Sequence, residues 1–278
     1  MQALCRKKLK LASLDTNVST AQQEYINNYL YNCRRIRMFQ ITIFILFLGI
    51  WELGADIGFV DAFVFSSPSR VLKTAYDMAK SGTLFYHLGI TLAETLLSFA
   101  FVNIFGIAIA VLLWWNDNIS KVLEPYLVVL NSLPKSALAP VFIVWLGSNM
   151  KTIIIAAISV SVFGTIITLY TNFKSVEEDK VKLIRTLGGT KFDVLRRVVL
   201  PSNVPSMISL MKVNIGLSLV GVIIGEFLAA KAGLGYLIIY GSQVFKLDWV
   251  IMSIILLCAV AVLLYKGLSI LEEKYGKR

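Results

Sequence analysis

Residues 175–201 read SVEEDKVKLIRTLGGTKFDVLRRVVLP. Eleven charged residues fall between Lys174 and Arg197, yet long apolar runs lie on both sides. A helical wheel centred on Val176 places Leu183, Ile184 and Leu187 within about 80° of it and Glu178, Lys182 and Arg185 on the opposite side. That pattern is a short amphipathic helix, and Gly188-Gly189 ends it, since glycine tolerates the positive φ of a C-cap. Phe192, Leu195 and Val199 recur at i, i+3 and i+7, the spacing of a second helix, which Pro201 is expected to stop. A plain connector needs only a few residues, whereas this segment spends nearly thirty and patterns them. It reads as a rigid element that docks on a partner.

The flanking runs set the class of the protein. The 278 residues are 57% hydrophobic with mean hydropathy +0.73, above the roughly 45–50% of soluble domains. Apolar runs long enough to cross a bilayer, about 17–25 residues, begin near Phe39, Leu88, Tyr126, Thr152, Val204 and Trp249. The third is broken by Pro134 and Pro140, and the first carries Glu52. The predicted class is therefore all-α and polytopic with about six transmembrane helices. Residues 39–271 form the membrane domain, 174–201 the loop between helices 4 and 5, and 1–38 and 272–278 the flanking segments.

The net charge of +10 is distributed rather than global. Residues 1–38 and the loop at 174–201 each carry seven Lys or Arg, and the tail adds Lys274, Lys277 and Arg278. The intervening segments 58–87 and 231–248 carry few. Six spans with both termini inside place every basic-rich segment on the cytoplasmic face. The charge thus reports topology in a lipid bilayer and not a nucleic-acid partner. The first twenty residues have basic residues without an apolar stretch behind them, so no cleavable signal peptide is expected. Cys5, Cys33, Cys258 and the single His87 have no metal-ligand or disulfide-framework spacing. Within 58–87, SSPSRVLKTAYDMAKSG predicts a turn and a short outer helix with Val71, Leu72, Ala75 and Met78 on one face.

The residue order from 175 to 201 resembles the coupling loop of ABC importer permeases, matched here by Arg185, Leu187, Gly188, Arg196, Arg197, Leu200 and Pro201. NSLPKSALAPVFIVWLG, SSPSRVL and GEFLAAKAGLGYLI are similar to segments of the nitrate/sulfonate/taurine-type permeases of that family, and the similarity covers about residues 40–275. Lys182-Leu183-Ile184 stands where the family has Glu-Ala-Ala, and Glu177, Glu178 and Asp179 lie one turn earlier. The resemblance implies a cell-membrane permease subunit with no catalytic residue of its own. ATP and Mg would be held by a separate ATPase subunit contacted through Glu177, Glu178, Asp179, Lys182, Arg185, Leu187, Gly188 and Gly189. It further implies an extracytoplasmic substrate-binding protein and a second permease subunit, usually an identical copy. The substrate classes of the subfamily are small anions such as sulfonate or nitrate, and pyrimidine-type vitamin precursors.

The chain has no GxxxxGK[ST], HExxH or GxSxG motif on which to build ATPase or hydrolase chemistry. A self-contained secondary carrier is the alternative, and the lack of a visible inverted repeat speaks against it. Asn131, Ser132, Ser159, Ser161, Asn214, Ser218 and Glu226 are the polar points of the spans and the candidate translocation path; each alone is also a common helix–helix hydrogen-bonding residue. Charges within a span face protein or a water-filled cavity. For Glu94 and Glu226 path lining and a position near an interface stand even; for Glu52 and Lys212 an interfacial position is the reading. Gly221 and Gly225 form a small-xxx-small pair, either internal packing or a dimer seam.

Overall fold

The computed structural model describes residues 20–58 and 62–275. Two compact units divide at Ser69 and Arg70. The first unit holds α1 (Thr20–Asp56, 37 residues), the one-turn α2 (Ala62–Phe65) and the start of α3 (Pro68–Lys80). Helix α1 runs without a break through both the polar segment before Phe39 and the apolar run after it. Glu52 accepts hydrogen bonds from the Ser69 backbone N–H (2.9 Å) and the Ser69 hydroxyl (2.5 Å). It thereby satisfies a free donor in the first turn of α3, where a negative charge also suits the helix dipole. To the expected interfacial position of Glu52 the structure adds this capping contact.

The second unit is built on α4 (Thr83–Trp115), α7 (Met150–Lys174) and α9 (Lys191–Ala229), which pack along most of their lengths. Between α4 and α7 lie α5 (Asp117–Ser132) and α6 (Lys135–Leu146), bent by 96° at the Leu133-Pro134 break. The short α8 (Glu178–Thr186) precedes α9; α10 (Leu234–Gln243) and α11 (Leu247–Tyr275) follow it. Among the described residues, five helices are long and apolar enough to cross a membrane, six when the bent pair is one span. It is one, because α4 ends beside the start of α9, while the turn after α6 lies at the opposite end, where the Ser148 hydroxyl donates to the Ala229 carbonyl. The predicted third span is therefore correct as a crossing but is an elbow, broken at Pro134, while Pro140 is carried inside α6.

Close helix approach explains the glycines of the bundle. A Cβ on Gly221 would stand 2.6 Å from the Ala157 Cα, and one on Gly225 would stand 3.1 Å from the Ile153 Cα. The small-xxx-small pair is thus the α7–α9 seam inside one chain. On α3 the predicted apolar face holds for Val71 and Met78, which are buried, but Leu72 points outward at 71% exposure.

The other revision concerns Pro201. The second loop helix does not stop there; it continues through a π-helical turn at Leu195–Val199 into the membrane segment, giving one helix of 39 residues. The Leu200 N–H reaches back to the Leu195 carbonyl. This wider turn accommodates the proline ring and its missing donor, which would disrupt a regular α-helix.

Candidate functional site

The loop forms a tight corner between α8 and α9, closed by two caps in succession. Gly188 has φ +80°, its N–H donates to the Arg185 carbonyl (3.0 Å), and the Gly189 N–H donates to the Ile184 carbonyl (2.9 Å). These are the paired bonds of a Schellman motif. Thr190 then opens α9 with a capping box: its hydroxyl accepts from the Asp193 N–H, and the Asp193 carboxylate accepts from the Thr190 N–H at 2.9 Å. The glycine half was legible from sequence; the Thr190-x-x-Asp193 half carried a signal that had not been used. Gly189 cannot be replaced freely, since a Cβ there would meet the Ile184 Cγ2 at 2.5 Å and its carbonyl oxygen at 2.8 Å. Gly189→Ala is expected to loosen the corner and raise its protease sensitivity; cleavage at the wild-type rate would count against a closed corner.

The underside of the corner is part of the core. Val194, Leu195 and Val199 are buried with Leu169 and Phe173 of α7 and Leu113 of α4, and Val176, Val181 and Ile184 pack against them. The Lys191 ammonium donates to the Trp115 carbonyl (2.7 Å) and lies over the rings of Trp114 and Trp115. The outer side is apolar and open: Leu183 is 60% exposed, Leu187 76% and Phe192 56%. The single apolar face expected around Val176 is therefore split, with Val176 and Ile184 turned inward and Leu183 and Leu187 outward. Lys182, in place of the family's acidic residue, pairs with Glu178 (3.4 Å) and Asp179 (3.7 Å), and Glu177 pairs with Lys180 (3.1 Å). These exposed pairs each contribute little to stability, on the order of 0–1 kcal/mol. They do leave the Lys182 charge neutralised from within the same helix.

The seven polar span residues do not share one surface. Ser132 is exposed, Asn131 and Ser159 half-buried, and Ser161, Asn214, Ser218 and Glu226 buried between helices. Asn214 donates to the Asn103 side-chain oxygen (3.1 Å) and accepts from the Thr165 hydroxyl (3.0 Å), tying α4, α7 and α9 together. Glu226 accepts from the Thr91 hydroxyl (2.7 Å) and the Gly235 N–H (2.5 Å), while the Thr91 hydroxyl accepts from the Leu234 N–H (2.8 Å). The His87 Nδ1 accepts from the Gly233 N–H at 3.0 Å. Glu226, Thr91 and His87 thus hold the Gly-Leu-Gly loop against α4. Thr91, Asn103 and Thr165 were missed because a threonine or asparagine in an apolar run carries no periodic signal. Lys212 lies in the bundle, paired with Glu272 of α11.

Comparison with known proteins agrees with this architecture. Residues 102–271 match the family described as binding-protein-dependent transport system inner membrane component. A formylaminopyrimidine transport permease of Halalkalibacterium halodurans is 30% identical over 194 residues, covering 69% of this chain and 76% of that protein. A taurine transport system permease of Escherichia coli is 23% identical, covering 84% of this chain and 89% of that protein. A chain of the inward-facing MetNI methionine ABC transporter superposes with TM-score 0.61 at 17% identity, over 70% of this chain and 97% of that one. With the multi-pass bundle and the cap-closed corner, these matches place the chain in the binding-protein-dependent transport system inner membrane component family, the inner-membrane permeases of ABC importers.

Proposed function

We propose that this permease forms the translocation path of an ATP-driven importer and couples to a separate ATPase subunit through the α8–α9 corner. The observation that carries the reading is the two-sided corner. Its outer face offers Leu183, Leu187 and Phe192 to a partner, and its inner face is continuous with the core. Exposed apolar groups rimmed by charge mark an interaction surface. Glu177, Glu178, Asp179, Lys182 and Arg185 form that rim, and Gly188 and Gly189 set its angle. ATP and Mg are assigned to the ATPase. A second copy of the permease and an extracytoplasmic binding protein complete the importer in the cell membrane, with the corner and both termini in the cytoplasm. ATPase docking would act on α9 as a rigid-body movement.

For the substrate, the formylaminopyrimidine permease supports a pyrimidine-type precursor and the taurine permease a small sulfonate. The path is assigned to Asn131, Ser132 and Ser159 at accessible positions, with Ser161, Asn214, Ser218 and Glu226 behind them. The test is uptake in proteoliposomes holding the permease and its ATPase, with binding protein supplied. Leu187→Asp is expected to abolish both ATPase co-purification and ATP-dependent uptake while the permease still folds, because the side chain is exposed. Uptake that persists without ATP would instead establish a secondary carrier.

A further inference from the structure

A cavity of about 450 Å³ lies between α8 and the adjoining ends of α4 and α7. Its floor is apolar and rigid: Phe173 is 1% exposed, Val199 0% and Tyr170 7%, with Trp114 beside them. Its rim carries the cations Lys174, Arg185 and Lys191 and the Asp117 carboxylate, with Lys182 and Glu178 paired to each other beside them. The Arg185 guanidinium forms no ion pair among the described residues. Lys174 extends over the Tyr170 ring at 5.6 Å, so its charge is held at the mouth. The cavity opens beside Trp114 and Lys174, where the apolar segments of α4 and α7 end.

We propose that this cavity binds the headgroup of an anionic phospholipid. Its phosphate would lie among Arg185, Lys174 and Lys191, and its glycerol end would rest on the Trp114–Tyr170 floor. An apolar floor beneath a basic rim suits an amphiphile better than a free ion, which gains nothing from the aromatic surface. Basic pockets between membrane helices take anionic headgroups for this reason. A bound lipid would bridge α8 to α7 and stiffen the corner from below. The site requires no ATPase, so its test is independent of the docking reading.

Native mass spectrometry of the purified full-length chain, titrated with phosphatidylglycerol, phosphatidylcholine or inorganic phosphate in separate arms, measures it. Retention of phosphatidylglycerol over phosphatidylcholine is expected, with no displacement by phosphate. Lys174→Gln and Arg185→Gln are each expected to weaken phosphatidylglycerol binding about fivefold, the size of one basic residue at an anionic surface. Arg185→Lys should stay within about twofold of wild type, because the charge is kept. Lys231→Gln with Lys246→Gln removes charge at the other end of the bundle and should change nothing. Equal retention of the two lipids, an equal loss in that control, or displacement of the lipid by inorganic phosphate would overturn the proposal.

Discussion

Gly221→Val is expected to destabilise the isolated permease by about 3 kcal/mol, at the upper end of what overpacking a core costs. The reason is what the new side chain would meet. Its Cβ would stand 2.6 Å from the Cα and 3.2 Å from the carbonyl oxygen of Ala157, so a backbone and not a flexible side-chain tip must move. Helices in lipid associate through packing rather than hydrophobic exclusion, which makes a widened seam costly. Ala157 is itself fully buried, so α7 cannot shift without disturbing Val222 and Ala229 of α9, which pack in the same cluster. Gly216→Val supplies the contrast on the same helix, since nothing lies within 4 Å of its added Cβ. Thermal unfolding in detergent should separate the two variants clearly; similar midpoints for both would sink the seam.

Thr91→Val should cost about 2–4 kcal/mol, although the shapes are nearly the same. The hydroxyl is fully buried and works in both directions, donating to Glu226 and accepting from the Leu234 N–H. Valine leaves a carboxylate oxygen and a backbone donor without these bonds, each worth about 1–3 kcal/mol when orphaned in a protein interior. Thr91→Ser keeps the hydroxyl and should recover most of the loss. The effect should concentrate at the Gly-Leu-Gly loop: hydrogen exchange at Leu234 and Gly235 is expected to accelerate, while exchange in α7 stays at the wild-type level. Uniform acceleration through the bundle would show that the loop is held by something other than this hydroxyl. The glycines of the loop are bound to the same geometry, since a Cβ on Gly233, already at φ +118°, would collide with the Glu226 carboxylate.

These two predictions mark what sequence reading reached and where it stopped. Apolar run length located the spans, because a bilayer of fixed thickness leaves few alternatives. The amphipathic loop and its glycine turn were also legible, being local in sequence. The outcome at Pro201 was not, because the statistical rule that proline ends a helix is overridden here by a π turn that absorbs it. The split between Val176 and Leu187 also escaped a wheel, which gives the direction of a side chain but not which side a second helix occupies. The Asn103–Asn214–Thr165 and Thr91–Glu226 bonds join residues between 49 and 135 positions apart. Only the fold brings such pairs together. Gly221 and Gly225 were recognised as a packing pair, but whether the seam was internal or between copies required Ala157 opposite them.

The unbroken passage of α9 from Lys191 to Ala229 has a mechanical meaning. At about 1.5 Å per residue, 39 residues make a rod roughly 58 Å long. One end carries the cap-closed corner, and the other lies three residues beyond the carboxylate that holds the Gly-Leu-Gly loop. No hinge loop interrupts it. A tilt of about 5° at the corner would sweep the far end through roughly 5 Å, about the pitch of one helical turn. The same helix therefore links the corner at one surface of the bundle to the Gly-Leu-Gly loop at the other, so that a rigid tilt at one end is a displacement at the far end.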